Sequence, residues 1–318
     1  MRALVLNDTL QLETEHSNPD IVVGEALIRV HQAGICATDL ELVKGYMGFQ
    51  GTLGHEFVGV IEQAAGQPQL IGRRVAGEIN AACRSCETCR AGRLTHCPHR
   101  TVLGIDHRNG AFADYLCLPY ENVHILPKSI TDDQAVFVEP LAAACEILQQ
   151  VVIKPTDRIV VLGDGKLGLL CAQVLQLTGC QLEVLGHHAE KLNILAKRGI
   201  RIATSLEHIT PGADIIIEAT GTPHGLTTAA QLVRPRGTIV LKSTYHGDVT
   251  VNMTSLVINE VTLIGSRCGP FEPAIRLLEQ QLVDVTPLIH AHYPIDDALT
   301  ALDSAGTKGT LKVMLTMT

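Results

Sequence analysis

The chain has 318 residues, more than a single hydrophobic core usually serves, so its length predicts two domains. Hydrophobic residues make up 46 % and charged residues 18 %, an ordinary globular balance, while a net charge of −8 without any long Lys/Arg run excludes nucleic acid or an anionic membrane as the main partner. Trp is absent and aromatic residues reach only 3 %, which excludes platforms for stacking nucleobases.

The first residues, MRALVLNDTLQLETEH, lack the apolar stretch and small-residue cleavage site of a secretory signal. Longer apolar runs are all interrupted by Glu, Gln, Asp or Lys, so no membrane-spanning helix is predicted. The expected location is cytoplasmic. Thiols stay reduced there, and clustered cysteines serve as metal ligands more often than as disulfides.

An alternating strand, EALIRVHQAG, leads into AGICATDLE, which carries Cys36, Thr38 and Asp39. His55 and Glu56 follow in GTLGHEFVGVIE, and Glu139 stands before Pro140 in AVFVEPLAAACEIL. Each fragment is weak alone. Together, Cys36, His55 and a carboxylate form the ligand set of a zinc site that leaves one position open. Asp39 is the candidate partner for the second ring nitrogen of His55. Thr38 offers a hydroxyl able to pass a proton to or from a bound oxygen. Zn²⁺ facing the Cys36 thiolate and both glutamates would be left net negative, a poor Lewis acid. At most one of Glu56 and Glu139 is therefore expected to ligate tightly at a time. Tyr46, Met47 and Phe49 either line a pocket or pack in the core.

The segment AACRSCETCRAGRLTHCPH, residues 81–99, holds Cys83, Cys86, Cys89 and Cys97 as C-x2-C-x2-C-x7-C. Short gaps let neighbouring sulfurs converge on one ion, and four thiolates suit tetrahedral zinc at about 2.3 Å. Such a site is coordinatively full and therefore structural. An iron–sulfur cluster is the main rival. His96 and His99 could substitute, but four cysteines already complete the shell. Arg84, Arg90, Arg93 and Arg100 crowd this stretch and read as a solvated loop. Cys117, Cys145, Cys171, Cys180 and Cys268 read as small core residues.

After a boundary at Lys154-Pro155 comes DRIVVLGDGKLGLLCAQVLQLTG. Its apolar run predicts a buried parallel strand, and Gly163, Gly165 and Gly168 form G-x-G-x-x-G. Lys166 is followed by Leu167 rather than Ser or Thr, so this is not a P-loop. A helix ending near Gly179 and a further strand, QLEVLG, complete the context a dinucleotide fingerprint requires. Glu183 has about the right spacing for the ribose acid but falls inside the strand. The strand's end carries His187, His188 and Lys191, which favour the 2′-phosphate of NADP over NAD. The later strands GADIIIEATG, GTIVLKS and EVTLIGS alternate with helical stretches, which predicts an α/β doubly wound parallel sheet. His31, His107, His124, His290 and His292 read as surface or satisfied core histidines.

On GICATDLE, GHEFVGVIE, the four-cysteine lobe, VEPLAA, VLGDGKLG and EATG, nearly the whole chain resembles the zinc-containing medium-chain dehydrogenase/reductase family. It is most similar to the polyol, threonine and glucose dehydrogenase branch. The resemblance implies a GroES-like β-rich catalytic domain over 1–150 with its structural zinc lobe at 81–99. It further implies a Rossmann domain over 151–282, a return to the catalytic domain over 283–318, and catalysis in the cleft. It implies that Cys36 and His55 ligate catalytic zinc, with Glu56 and Glu139 as third ligand or alternates. Thr38 would begin a proton relay and Asp39 would orient His55. The cofactor NAD(P) would meet Gly163, Gly165, Lys166, Leu167, Gly168, His187, His188, Lys191, Thr220 and Arg267. The substrate would be a small alcohol or carbonyl compound, and the assembly a homodimer or homotetramer. Ala37 replaces a basic residue that some relatives place near the pyrophosphate, and the segment between Cys36 and His55 is shorter than in many of them. Two rival readings are a nucleotide-binding sensor without turnover and a zinc-free quinone or enoyl reductase of the same fold.

Overall fold

The computed structural model describes residues 1–244 and 248–317. The chain divides into two compact units. One comprises Met1–Glu139, Ala274–Gln280 and Leu288–Thr318, and the other comprises Pro140–Pro273 and Gln281–Pro287.

The first unit is β-rich. Its main sheet runs Val123–Ile125, Arg74–Gly77, Glu56–Ala64, Glu25–Gly34, Lys312–Thr316, Ile289–Pro294, and Tyr115–Pro119 pairs with the first half of the Glu25–Gly34 strand. That strand is the axis of the sheet. On one side it pairs antiparallel with the Glu56 strand, Gly34 opposite Glu56, and on the other its last residues pair with the Lys312 strand, Gly34 opposite Met314. Ala26, Ile28 and Val30 are buried, as the alternation in sequence requires, and beyond a register shift between Val30 and Gln32, Ala33 is buried too. The expected strand is present and carries Cys36 at its exit. Residues from far along the chain thus lie two strands apart.

The cysteine-rich segment is a loop hung between two short strands. Asn80–Ala81 pairs antiparallel with Thr101–Leu103, which closes the base of the lobe.

The second unit is an α/β layer structure. Six parallel strands lie in the order Arg201–Ala203, Gln181–Leu185, Arg158–Leu162, Ala213–Glu218, Val233–Leu241, Thr262–Gly265. Numbered within the sheet, that is 3-2-1-4-5-6, the doubly wound arrangement anticipated from the β–α alternation. Ile159, Val160 and Val161 are fully buried, which requires helices on both faces and explains the unbroken apolar run. Val160, Leu162, Ile216 and Ile239 pack with Leu226, Ala229 and Leu232 of the helix Pro223–Leu232. Each such aliphatic side chain contributes about 1.5–3 kcal/mol by leaving water. No helix among the described residues is long and apolar enough to cross a membrane.

Candidate active site and metal centres

Cys36 is the N-cap of the helix Ala37–Val43, directly after the axial strand ends at Gly34. Its backbone N–H donates to Asp39 Oδ2 at 2.7 Å, which stops the chain from continuing as a strand and fixes the start of the helix. The other oxygen of the same carboxylate, Oδ1, accepts from His55 Nδ1 at 3.2 Å. Asp39 is 0 % exposed, so one buried carboxylate ties the Cys36 turn to the His55 ring. With Nδ1 held in this way, Nε2 is the nitrogen left to bind an ion. Gly54, next to His55, is needed because a Cβ there would lie 2.4 Å from the Phe112 ring. Thr38 Oγ1 lies 3.8 Å from Cys36 Sγ.

Ligand atoms of Cys36, His55 and Glu56 all lie within 4.8 Å of one another. The structure therefore brings together residues from two separate stretches of sequence. Glu139, at the start of the helix Val138–Gln150, stands outside this cluster. Burial works against a charge on His55, but Asp39, and then Cys36, outweigh it and hold the ring's pKa well above the ordinary imidazole range. Sulfur, imidazole and carboxylate are ligands of a catalytic zinc site, and the donor set fits.

A residue that the sequence reading did not single out completes the pocket. Lys312 is 1 % exposed, and its Nζ donates to Glu56 Oε2. Nothing local marks it, because it is separated from Glu56 by 256 positions. Only a Lys within an otherwise apolar strand, LKVMLTM, could have drawn attention to it.

In the lobe, the sulfurs of Cys83, Cys86, Cys89 and Cys97 also lie within 4.8 Å of one another. Cys83 and Cys89 are 4.0 Å apart, Cys86 and Cys97 3.8 Å, and Cys83 and Cys97 3.5 Å. Four sulfurs at about 2.3 Å from one tetrahedral ion would be about 3.8 Å apart, so the arrangement fits zinc. The amides of Cys83 and His99 donate to Cys97 Sγ at 3.5 and 3.4 Å. Backbone and hydroxyl donors at Ser85 and the amide of Cys86 pull the Cys83 thiol down to about 5, whereas burial first, then its neighbouring thiols, push Cys89 up to about 12. The remaining cysteines are packed: Cys117, Cys145 and Cys171 are buried and Cys180 and Cys268 half-buried. Phe49 is buried while Met47 is 58 % exposed, so this segment is split between core and surface. His31, His107 and His292 pair with Asp132, Asp106 and Asp133.

In the second unit the glycine-rich turn joins the strand Arg158–Leu162 to the helix Lys166–Gln176. Gly163 has φ +113, and any Cβ there would lie 2.4 Å from the Ala219 carbonyl. A Cβ at Gly168 would lie 2.2 Å from the Gly163 carbonyl. Both glycines are thus demanded by packing. Gly165, the N-cap, is different, since a Cβ there would meet nothing within 4 Å. Open space in front of a helix N-terminus is where a pyrophosphate approaches the backbone. Lys166 and Leu167 open that helix.

Asp164, another residue the sequence reading passed over, reaches across to the next turn. Its Oδ2 accepts the backbone N–H groups of His187 and His188 at 2.6 Å each, and the His188 ring Nδ1 lies 3.1 Å away. Gly186 makes room, because a Cβ there would sit 2.6 Å from the Asp164 carboxylate. Burial raises the Asp164 pKa, but these donors outweigh it and the net shift is downward. His187 is exposed at the strand's end, with half-buried Lys191 on the following helix. Glu183 lies inside its strand, with Arg201 and Arg158 at 3.6 and 3.9 Å. Thr220 donates its N–H and its hydroxyl to Glu218 Oε1 at 2.8 and 2.6 Å. Arg267 is exposed beyond the last strand, and its carbonyl accepts from Lys242 Nζ at 3.0 Å.

Residues 23–128 match the alcohol dehydrogenase GroES-like domain family, and residues 167–280 match the zinc-binding dehydrogenase family. The chain is 27 % identical to a sorbitol dehydrogenase of Halalkalibacterium halodurans over 311 residues, covering 91 % of this chain and 90 % of that one. It superposes on a structure described as a short chain alcohol dehydrogenase from E. coli CFT073, complexed with NADH, with a TM-score of 0.92 at 26 % identity, covering 100 % and 99 % of the two chains. A putative zinc-binding dehydrogenase from Sinorhizobium meliloti 1021, bound to NADP, gives a TM-score of 0.88 at 25 % identity, covering 99 % and 98 %. The β-rich unit with its two clusters of metal-binding side chains, the doubly wound unit with its glycine turn, and these relatives agree: the chain belongs to the zinc-containing medium-chain dehydrogenase/reductase family.

Proposed function

We infer that this protein is a zinc- and NAD(P)-dependent dehydrogenase that interconverts an alcohol and its carbonyl compound. We propose a polyol, sugar or amino alcohol as the substrate. The observation that carries the reading is the buried cluster of Cys36, His55 and Glu56, with His55 oriented by Asp39. The relationship to a sorbitol dehydrogenase supports the polyol class.

Zinc bound by Cys36 and His55 would supply Lewis acidity that lowers the pKa of an alcohol toward neutrality, and the nicotinamide would accept the hydride. The chain's own residues do the rest. Asp39 keeps His55 Nδ1 occupied, so that the ring offers Nε2 to the ion. The Thr38 hydroxyl would take up the alcohol's proton at Oγ1 and release its own to solvent water, so no net charge accumulates there. In the lobe at 81–99 Cys83, Cys86, Cys89 and Cys97 would hold one ion with all four sulfurs, and that ion would serve structure alone.

The cofactor reading favours NADP. Donor side chains of His187 and Lys191 stand at the end of the Gln181–Leu185 strand. The Asp164 carboxylate is already engaged by two amides and the His188 ring, so it is not free to accept from ribose hydroxyls. The assembly is proposed to be a homodimer or homotetramer. One of the two edge strands of the parallel sheet, Thr262–Gly265, has one edge unpaired among the described residues, and Val257 and Ile258 at the end of the preceding helix Met253–Ile258 are 70 and 74 % exposed. The proposed location is cytoplasmic, where the lobe thiols stay reduced for metal.

The test is a panel of polyols, sugars, amino alcohols and simple alcohols, each with NAD and NADP, followed by nicotinamide absorbance. Oxidation of at least one class, faster with NADP, is the expected result. No turnover with any alcohol by zinc-loaded protein, or turnover of quinones or enoyl compounds without zinc, overturns the reading.

A further inference from the structure

The turn after the Gln181–Leu185 strand is joined to the glycine turn through one carboxylate. Asp164 Oδ2 accepts the amides of His187 and His188, and His188 Nδ1 lies 3.1 Å from both Asp164 oxygens. An ionised carboxylate only accepts, so Nδ1 is the ring nitrogen that carries the hydrogen. Burial raises the Asp164 pKa, but the two amides and the His188 ring outweigh it, and the group stays anionic at neutral pH. A neutral imidazole has one N–H, and here it is spent on Asp164. The second nitrogen, Nε2, therefore donates to a ligand only when the ring is protonated. The Asp164 side chain is 9 % exposed and that of His188 33 %, so the carboxylate is covered while the ring still meets solvent.

In a doubly wound unit the adenosine ribose lies beyond the end of this strand, where a 2′-phosphate would meet the turn. That phosphate is the whole difference between the two dinucleotides, and it carries close to two negative charges above about pH 6. The helix after the glycine turn supplies Lys166, and the helix Ala189–Ala196 supplies Glu190 and Lys191. Beyond the strand Arg201–Ala203, the turn Leu206–His208 adds Glu207 and His208, while Arg201 itself lies 3.6 Å from Glu183. Carboxylate, ammonium and guanidinium groups keep their charges between about pH 6.5 and 8.5. Imidazole is the side chain whose charge changes there. His187 and His208 are exposed, whereas the His188 ring is held against a carboxylate. His188 Nε2 is thus an oriented donor whose hydrogen is present or absent according to pH.

We propose that the Asp164–His188 pair makes the choice of cofactor depend on pH. The protonated ring offers an Nε2–H and a positive charge to the 2′-phosphate, and the phosphorylated dinucleotide is preferred. The neutral ring presents a lone pair to that phosphate, and the unphosphorylated dinucleotide competes. Binding of the phosphorylated form thus takes up a proton from solvent at His188 Nε2. The inference rests on the reading of this turn as the 2′-phosphate site, and it adds how that site is regulated. Asp164 is a positioning residue: it fixes which ring nitrogen is left for the ligand and touches neither cofactor nor substrate itself.

Zinc-loaded protein is titrated with NADPH and with NADH, followed by nicotinamide fluorescence, at about pH 6.5, 7.5 and 8.5, a window above the phosphate's own second titration near pH 6. The readout is the ratio of the two dissociation constants, which cancels the effect of pH on the parts of the site that both cofactors share. In wild type the preference for NADPH should fall at least about tenfold from the lowest pH to the highest. His188→Gln keeps a donor without a titrating ring, so its ratio should stay constant within about twofold. Asp164→Asn lets a neutral ring carry its hydrogen on Nε2, so the pH dependence should shrink to less than about half of the wild-type value. A purely structural Asp164 would weaken both cofactors alike and leave the pH dependence intact, and that result overturns its role. A wild-type ratio that favours NADPH equally at every pH overturns the proposal and leaves the cofactor reading standing. A dependence that survives in His188→Gln also overturns it. If His188→Gln does not fold, His188→Asn takes its place. A ratio that favours NADH at every pH removes the cofactor reading and the proposal with it.

Discussion

Asp39 works at two bonds at once, on the Cys36 amide and the His55 ring, and is fully buried. Asp39→Asn keeps the shape but loses the charge that sets His55, so zinc affinity at this centre should fall about 10–100-fold. Equilibrium competition with a chelator reads this directly, with the lobe ion as internal control. Thr38→Val removes the hydroxyl without changing volume, so kcat should fall by about 10² while zinc content stays unchanged. At this scale the sequence spoke clearly where the chemistry was local. Cys36, Thr38 and Asp39 share one turn, and their types and spacing suggested their roles. Lys312 could not be read in the same way. Its partner is far away in the chain, and the charge balance of the pocket cannot be drawn up until the sheet brings them together. The sequence-based charge count, which weighed only Cys36 and the two glutamates, omitted it for that reason.

The glycine turn shows the same division at the scale of an element. Its fingerprint, between a buried strand and a helix, was legible because each glycine answers a local steric need. The structure separates those needs. Gly168→Ala should destabilise the fold by about 1–3 kcal/mol, because its Cβ meets the Gly163 carbonyl at 2.2 Å. Gly165→Ala should leave the melting temperature unchanged and weaken cofactor binding roughly tenfold, since it fills only open space. Thermal melts and cofactor titration of the two variants distinguish these cases. Asp164, in the same turn, was not recognised as a link, because the amides it serves belong to the next turn. Its folded-state pKa is depressed, so the stability it contributes is present above the ordinary carboxylate value, about 3.9, and lost as pH falls through the lower folded value. Asp164→Asn should therefore melt below wild type at pH 6, with the gap closing under strongly acidic conditions. A gap that persists unchanged in acid would contradict this role.

For the whole molecule, each of the two units carries its own part of the chemistry. The β-rich unit holds both candidate metal centres, and the doubly wound unit holds the dinucleotide turn. The lobe should matter to stability alone. Cys89→Ser should lower the melting temperature and remove one zinc per chain. If the outer edge of the strand Thr262–Gly265, unpaired among the described residues, joins two copies as proposed, Leu263→Glu should shift sedimentation toward the monomer. Membership of the family was legible from six short motifs, but the substrate was not, because the segment between Cys36 and His55 gives no clear pocket: Phe49 turns into the core and Met47 into solvent. The most direct test of the central claim is the zinc content and alcohol-oxidising activity of Cys36→Ala beside wild type. The account predicts two zinc ions in wild type, one in the variant, a nearly unchanged fold, and no turnover. A variant that keeps both ions and full activity would contradict it.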